Sequence, residues 1–235
     1  MNITKEEKMM YKIMKALYES GIPISFKGSM VLRAFLFESG YKENTRHTID
    51  IDGDWISDSD PNIDMIIKSF KKALKRVEMN LDLRLYRMYD KGKSAGFEFF
   101  DLNTNEILFT MDIDVNKPYI STKIYEIDDL HFSGATPSQM IADKTYVLST
   151  DKIFRRIKDL VDLYYISKVF VFNKEEVYSI LEKSGRELGD FDAFKNRYDE
   201  LKHSYDKFRF SFDVHKPDFD DVYQTVKKYV SVFVN

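Results

Sequence analysis

The chain of 235 residues contains no cysteine. Disulfide frameworks and thiolate-bound zinc are therefore excluded, and a reducing cytosol suits the composition. Histidine is also scarce: His47, His131, His203 and His215 are scattered, without the helical or hairpin pairing of a metal cluster, and read as ordinary surface or loop residues. No run of about 18 apolar residues occurs, so no membrane-spanning helix is expected. The opening residues, Met1 to Lys8, lack the apolar core of an export signal, and the expected location is cytoplasmic. Neither sign of charge dominates: 36 Lys and Arg face 39 Asp and Glu, a formal net charge of −3. Any nucleic-acid contact must then come from a local basic face. There is no internal repeat and no low-complexity segment.

What is present is a globular composition, 43% hydrophobic and 32% charged, in a chain long enough to bury a substantial core. Its chemistry concentrates between Lys27 and Asp52. Residues 22–26 read as a short strand, Lys27-Gly28-Ser29 as a tight turn, and Met30, Val31, Leu32, Ala34 and Phe35 as the apolar body of a helix that starts at Ser29. Such a helix start presents free backbone N–H groups and a positive dipole end to a phosphate. Downstream, Arg46-His47-Thr48-Ile49-Asp50-Ile51-Asp52 reads as a strand on which Asp50 and Asp52 share one face while Ile49 and Ile51 turn to the core. Two carboxylates at that spacing suit Mg²⁺, which takes one or two carboxylates and completes its shell with water and substrate phosphates.

The remaining elements follow from capping and periodicity. Thr4 and Glu7 form a capping box, with Tyr11, Met14, Leu17 and Tyr18 at helical spacing up to Gly21. Gly53-Asp54 predicts an early end to the acidic strand. Pro61-Asn62 opens a helix with an apolar stripe on one side and Lys68, Lys71, Lys72, Lys75 and Arg76 on the other. Residues 81–86, 96–102 and 107–115 read as strands, the last two joined as a hairpin over residues 103–105. Asp112 and Asp114 share a face of the third. Thr136-Pro137-Ser138-Gln139 starts a helix that carries Lys144. On the helix over Arg155 to Ile166, Asp159 and Asp162 share a face and Arg155 lies one turn before Asp159. Asn173 caps another helix, the aromatic series from Phe191 to Phe208 reads as one helical seam, and a last helix runs from about Asp218 to Phe233.

Three of these blocks, Gly28-Ser29, Arg46-x-Thr48-x-Asp50-x-Asp52 and Lys158-Asp159-Leu160-Val161-Asp162, taken with Lys144 in its apolar helix, resemble the AbiEii/AbiGii toxin family of abortive-infection and toxin–antitoxin systems, which defend bacteria against phage. The resemblance covers residues 20–170. It implies an α+β fold: a polymerase-β-like nucleotidyltransferase lobe with a mixed sheet over residues 1–135, then a helical lobe over residues 136–235 that completes the cleft. The implied reaction is attack of an acceptor hydroxyl on the α-phosphate of a nucleoside triphosphate, with Mg²⁺ or Mn²⁺ as cofactor. In that reading Asp50, Asp52 and Asp114 bind metal, with Asp112 second to Asp114 as the third carboxylate. Lys27, Gly28, Ser29 and Lys144 hold phosphates, Asp159 positions acceptor or metal-bound groups, and Arg46 and Thr48 shape the loop. The implied partners are an RNA acceptor, specifically a transfer RNA end, and a cognate antitoxin. An idle binding module of the same fold, or a small-molecule nucleotidyltransferase acting on an antibiotic, are the alternatives.

Overall fold

The computed structural model describes residues 3–43, 45–57, 62–89, 93–115, 119–210 and 214–234. Helix α1 (Lys5–Glu19) opens on the expected capping box: the Thr4 hydroxyl accepts from the Glu7 amide at 3.1 Å, and the Glu7 carboxylate accepts from the Thr4 amide at 3.0 Å. After Gly21 come β1 (Ile24–Lys27), α2 (Gly28–Glu38) and β2 (Asp50–Trp55). Helix α3 (Ile63–Leu74) is capped by Asn62, while Pro61 lies outside the described residues. Then follow β3 (Leu81–Tyr89), β4 (Ser94–Asp101), β5 (Ile107–Asp114), β6 (Thr122–Ile127) and β7 (Leu130–Ala135). Among the described residues everything beyond is helical: α4 (Pro137–Leu148), a 3-10 turn (Asp151–Phe154), α5 (Ile157–Ser167), α6 (Lys174–Lys183), α7 (Asp192–Asn196), α8 (Tyr198–Lys207) and α9 (Phe219–Tyr229).

The strands form one mixed sheet in the order β3-β4-β5-β2-β1-β7-β6. β2 runs parallel to β5 and β1 parallel to β7, and the other neighbours are antiparallel. One face of its centre is apolar: Ile51, Phe97, Phe99, Met111 and Ile113 are fully buried, and Phe70 of α3 packs on Phe97 with ring centroids 5.4 Å apart. The other face at β2 and β5 is acidic, so strand alternation separates core from chemistry.

Several details differ from the sequence-based expectations. β2 continues through Gly53-Asp54 to Trp55, because glycine is the residue that fits there: an added Cβ would lie 3.0 Å from Ile24 and 3.1 Å from Ile113. Ile49 precedes the strand and is 63% exposed, so only Ile51 reaches the core. The hairpin of β6 and β7, turning at Asp128 with φ 53°, carries no glycine or asparagine turn signal and was not expected from the sequence. The aromatic seam is broken into α7 and α8 by Arg197, whose φ of −115° and ψ of 47° leave the helical region, although Phe191, Phe194, Leu201 and Tyr205 are all buried. His47 is no ordinary loop residue: its Nδ1 lies 3.0 Å from the buried Glu7 carboxylate, which also accepts from Arg33 at 2.9 Å. Arg33 in turn donates to the Thr45 hydroxyl at 2.8 Å, and this buried cluster anchors the segment that leads into β2.

Candidate active site

Strand register assembles the acidic face. Asp50, Asp52 and Asp54 project from one side of β2, and the parallel pairing sets Asp52 beside Asp112 and Asp54 beside Asp114. Carboxylates this close repel one another unless cations intervene, and among the described residues Lys27 and Arg87 do so. Lys27, the last residue of β1, donates to Asp54 at 2.6 Å and to Asp114 at 2.7 Å. Arg87 of β3 is bonded to Asp112, and the Ser94 hydroxyl donates to Asp114. Burial by itself would lower the Lys27 pKa, but Asp54 and Asp114 hold it above the ordinary lysine value. Asp50 is exposed at the start of β2, where its carboxylate accepts from Thr110 Oγ1 at 2.5 Å and its amide donates to the Thr48 hydroxyl at 3.2 Å.

Beside this face, α2 begins without a side-chain cap, so its first N–H groups remain open to a ligand. Gly28 is required there twice over. Its φ is +72°, and an added Cβ would lie 2.3 Å from Asp52 Oδ2. Gly28, Ser29, Lys27, Asp52 and Asp114 form one wall of a cavity of about 530 Å³.

The opposite wall comes from α4, α5 and the turn between them. Lys144 is only 6% exposed and donates to Asp162 at 2.7 Å and to Asp159 at 3.2 Å. Arg156 grips Asp159 at 2.7 Å, and Arg46, from the segment before β2, approaches both oxygens of Asp162 at 3.2 Å. Arg155 is exposed and lies ahead of α5, so Arg156 takes the pairing that sequence spacing assigned to its neighbour. Burial would raise the Asp162 carboxyl, but Arg46 and Lys144 hold it well below the usual carboxylate range. Burial likewise works against the Lys144 charge and is outweighed by Asp162 and Asp159, which raise its pKa. Lys144, Asp159 and Asp162 are all buried in the wall that faces Asp52. Arg46, Arg156 and Lys158 join them on the cavity lining, cations to which the motif resemblance gave no ligand-binding role.

The cavity takes in Asp52 and Asp114, while Asp50 and Asp112 lie outside it on the same sheet face. Basic side chains on its lining outnumber acidic ones, seven to five, which suits a polyphosphate. Among the described residues no group of three or more His, Asp or Glu side chains is arranged to hold a metal unaided. Mg²⁺ needs only one or two carboxylates when phosphates complete its shell, and the residues fit that demand. Burial raises the Asp52 pKa, the neighbouring Asp112 and Asp50 add to the rise, and Lys158 and Lys27 oppose it without cancelling it. Asp112 Oδ1 is buried with no hydrogen-bond partner. The raised Asp52 pKa marks a place short of positive charge, and Asp112 has one oxygen free although Arg87 holds the other.

No family model and no curated protein sequence matches the chain. Solved structures do. MenT4, a nucleotidyltransferase toxin from Mycobacterium tuberculosis, aligns with a TM-score of 0.58 over 95% of this chain and 81% of its own, at 12% identity. The chain has the nucleotidyltransferase fold. ANT(2″)-Ia in complex with adenylyl-2″-tobramycin matches over 83% of this chain and 99% of its own at 15% identity and a TM-score of 0.47. An antigenic nucleotidyltransferase-like protein from Paracoccidioides brasiliensis matches over 85% and 93%, at 12% identity and a TM-score of 0.48. The nucleotidyltransferase fold accounts for the mixed sheet and its helical continuation, and the side chains described above carry any argument about activity. Among the described residues no helix is long and apolar enough to cross a membrane.

Proposed function

We propose that the chain is a divalent-metal-dependent nucleotidyltransferase that moves a nucleoside monophosphate from a nucleoside triphosphate to an acceptor hydroxyl, with the end of a transfer RNA as acceptor. One observation carries the reading: an acidic sheet face short of positive charge shares a cavity with an open helix start and a cationic wall. Asp50 and Asp52 would hold Mg²⁺ or Mn²⁺. The bound ion would neutralise charge that develops on the phosphate oxygens and align the in-line displacement. For the third carboxylate, the geometry favours Asp112 over Asp114. Asp112 lies beside Asp52 with one oxygen unbonded, whereas both Asp114 oxygens accept hydrogen bonds, from Ser94 and Lys27.

Gly28 and Ser29 receive the terminal phosphates at the start of α2, and Lys158, to which no carboxylate is bonded among the described residues, adds its charge from across the cavity. Lys144 contributes a fixed charge from between Asp159 and Asp162, while Asp159 aims Arg156 into the cleft. The acceptor oxygen forms a bond to the α-phosphorus as the bond to the bridging oxygen breaks. The hydroxyl proton passes to a carboxylate of the sheet, and pyrophosphate leaves. The helical part over residues 136–235 thus supplies half of the cleft.

The motif resemblance to the AbiEii/AbiGii family, with the fold shared with MenT4, supports a cytoplasmic toxin held in check by a cognate antitoxin. Incubation with each α-labelled nucleoside triphosphate, Mg²⁺, total RNA and lysate protein tests the acceptor. Label in transfer RNA supports the reading, and label confined to protein or to an added aminoglycoside refutes that acceptor. Expression without the antitoxin should slow growth, and Asp52→Asn should relieve it.

A further inference from the structure

The register of the sheet gives the site a direction. Pairing sets Lys27 beside Asp52, Asp52 beside Asp112, Asp112 beside Gly96 and Gly96 beside Arg87, so one row of residues crosses from β1 through β2, β5 and β4 to β3. The helix start at Gly28 and Ser29 lies at the β1 end of that row. In an in-line displacement the attacking and leaving oxygens stand on opposite sides of the phosphorus. With pyrophosphate held at the β1 end, the acceptor comes in from the side of β5, β4 and β3. Asp112 lies outside the cavity on that side, and among the described residues no side chain of β3 or β4 lines the cavity.

At the β3 end the row presents a stack of rings and a guanidinium. Arg87 lies 4.7 Å from the centre of the Tyr86 ring and 5.0 Å from that of Tyr89, and it is bonded to Asp112. It reaches that carboxylate by crossing β4 at Gly96, where an added Cβ would come 2.6 Å from Arg87 Cγ and 2.7 Å from Tyr86 Cε1. A register shift between Leu85 and Arg87 brings the two adjacent side chains over the one glycine. The apolar core is on the other face of β4, with Phe97 and Phe99, so core packing does not account for the tyrosines: Tyr86 stays 37% exposed and Tyr89 46%. Arg84 repeats the arrangement farther along β3, 5.2 Å from the centre of the Phe100 ring. Exposed rings interleaved with arginine suit unpaired bases, whose planar faces stack on both. An aminoglycoside would instead bring its ammonium groups against Arg84 and Arg87.

We propose that Tyr86, Arg87 and Tyr89 form the landing surface for the acceptor RNA, on which unpaired nucleotides upstream of its terminus stack while the terminal hydroxyl reaches the Asp52–Asp112 edge. This surface presupposes RNA as the acceptor of nucleotidyl transfer and adds where that RNA is held. β3 stands two strand spacings, about 10 Å, from β5, so bases stacked there belong to nucleotides just ahead of the reacting one.

Fluorescence anisotropy of the full chain with a labelled single-stranded oligoribonucleotide and with deacylated transfer RNA, in the absence of nucleoside triphosphate, reads this surface apart from the chemistry. Tyr86→Ala and Tyr89→Ala should each weaken binding of both RNAs roughly tenfold and raise the KM for RNA by a similar factor, with the KM for nucleoside triphosphate unchanged. Tyr86→Phe and Tyr89→Phe keep the rings and should bind as wild type does, which separates loss of stacking from loss of the fold. Undiminished RNA binding by the double alanine variant, or weak binding by the phenylalanine variants, would overturn the inference, and if wild type still labels RNA the transfer reading stands. Label that wild type places only on protein or on an aminoglycoside would refute RNA as acceptor, and this surface with it.

Discussion

Asp162→Ala is the perturbation whose size follows most directly from the structure. The carboxylate is 1% exposed and is the meeting point of three elements: Arg46 reaches it from the segment before β2, Lys144 from α4, and it belongs to α5. Truncation leaves Lys144 with Asp159 at 3.2 Å, but it removes both charge-assisted bonds of Arg46, whose guanidinium stays largely buried. Breaking one partner from a buried ion pair costs about 3–5 kcal/mol. At roughly 2–4 °C per kcal/mol for a chain of this size, the Tm should fall by roughly 6–20 °C. The dependence on pH has a definite sign. The folded-state pKa of Asp162 lies below its unfolded value, so its contribution is complete above the unfolded value of about 4 and is lost as pH falls through the folded one. Scanning calorimetry at pH 7 and then at successively lower pH should show a wide gap between wild type and variant that narrows only in the acid range. A loss below about 1 kcal/mol at pH 7, the size of an exposed pair, would refute the reasoning.

Gly28→Ala should abolish nucleotide transfer and lower stability by about 1 kcal/mol or more, because the new Cβ meets Asp52 and the backbone is left-handed there; unchanged kinetics would contradict the close approach. Lys158→Gln should raise the KM for nucleotide roughly tenfold, equivalent to about 1.4 kcal/mol, with little change in Tm, since among the described residues no carboxylate is bonded to it; a large fall in Tm would make the lysine structural. Asp52→Asn should unfold at the same or a higher temperature than wild type in metal-free buffer. Burial, with Asp112 and Asp50 nearby, raises the Asp52 carboxyl, which means that its charge is a cost that grows as pH rises through the folded pKa, and a lower Tm at pH 7 would reverse that assignment.

Local signals made part of the site legible before any coordinates. Gly28-Ser29 at a strand-to-helix turn, the two-residue period of Asp50 and Asp52, and the Thr136 cap ahead of Lys144 all depend on neighbours a few residues away. What escaped depends on partners remote in the chain. Lys27 meets Asp114 across 87 positions and Arg46 meets Asp162 across 116, and no periodicity encodes either contact. Gly53-Asp54 looked like a strand end for the same reason: the crowding by Ile24 and Ile113 and the lysine that neutralises Asp54 lie on other strands. The sequence places Lys144 on an apolar helix as a phosphate-binding charge, and only the packing of α4 on α5 reveals that it is held between two buried aspartates. The β6–β7 hairpin escaped because Asp128-Asp129 is a weak turn signal and β7, buried at five of its six positions, shows no alternation.

The central claim, transfer of a nucleoside monophosphate by the Asp50–Asp52 face, is tested most directly by parallel reactions with α- and γ-labelled nucleoside triphosphates, Mg²⁺ and total RNA. The account predicts that wild type attaches only the α-label to the acceptor and releases the γ-label in pyrophosphate, and that Asp52→Asn does neither although folded. Attachment of the γ-label, or full transfer by Asp52→Asn, would contradict it.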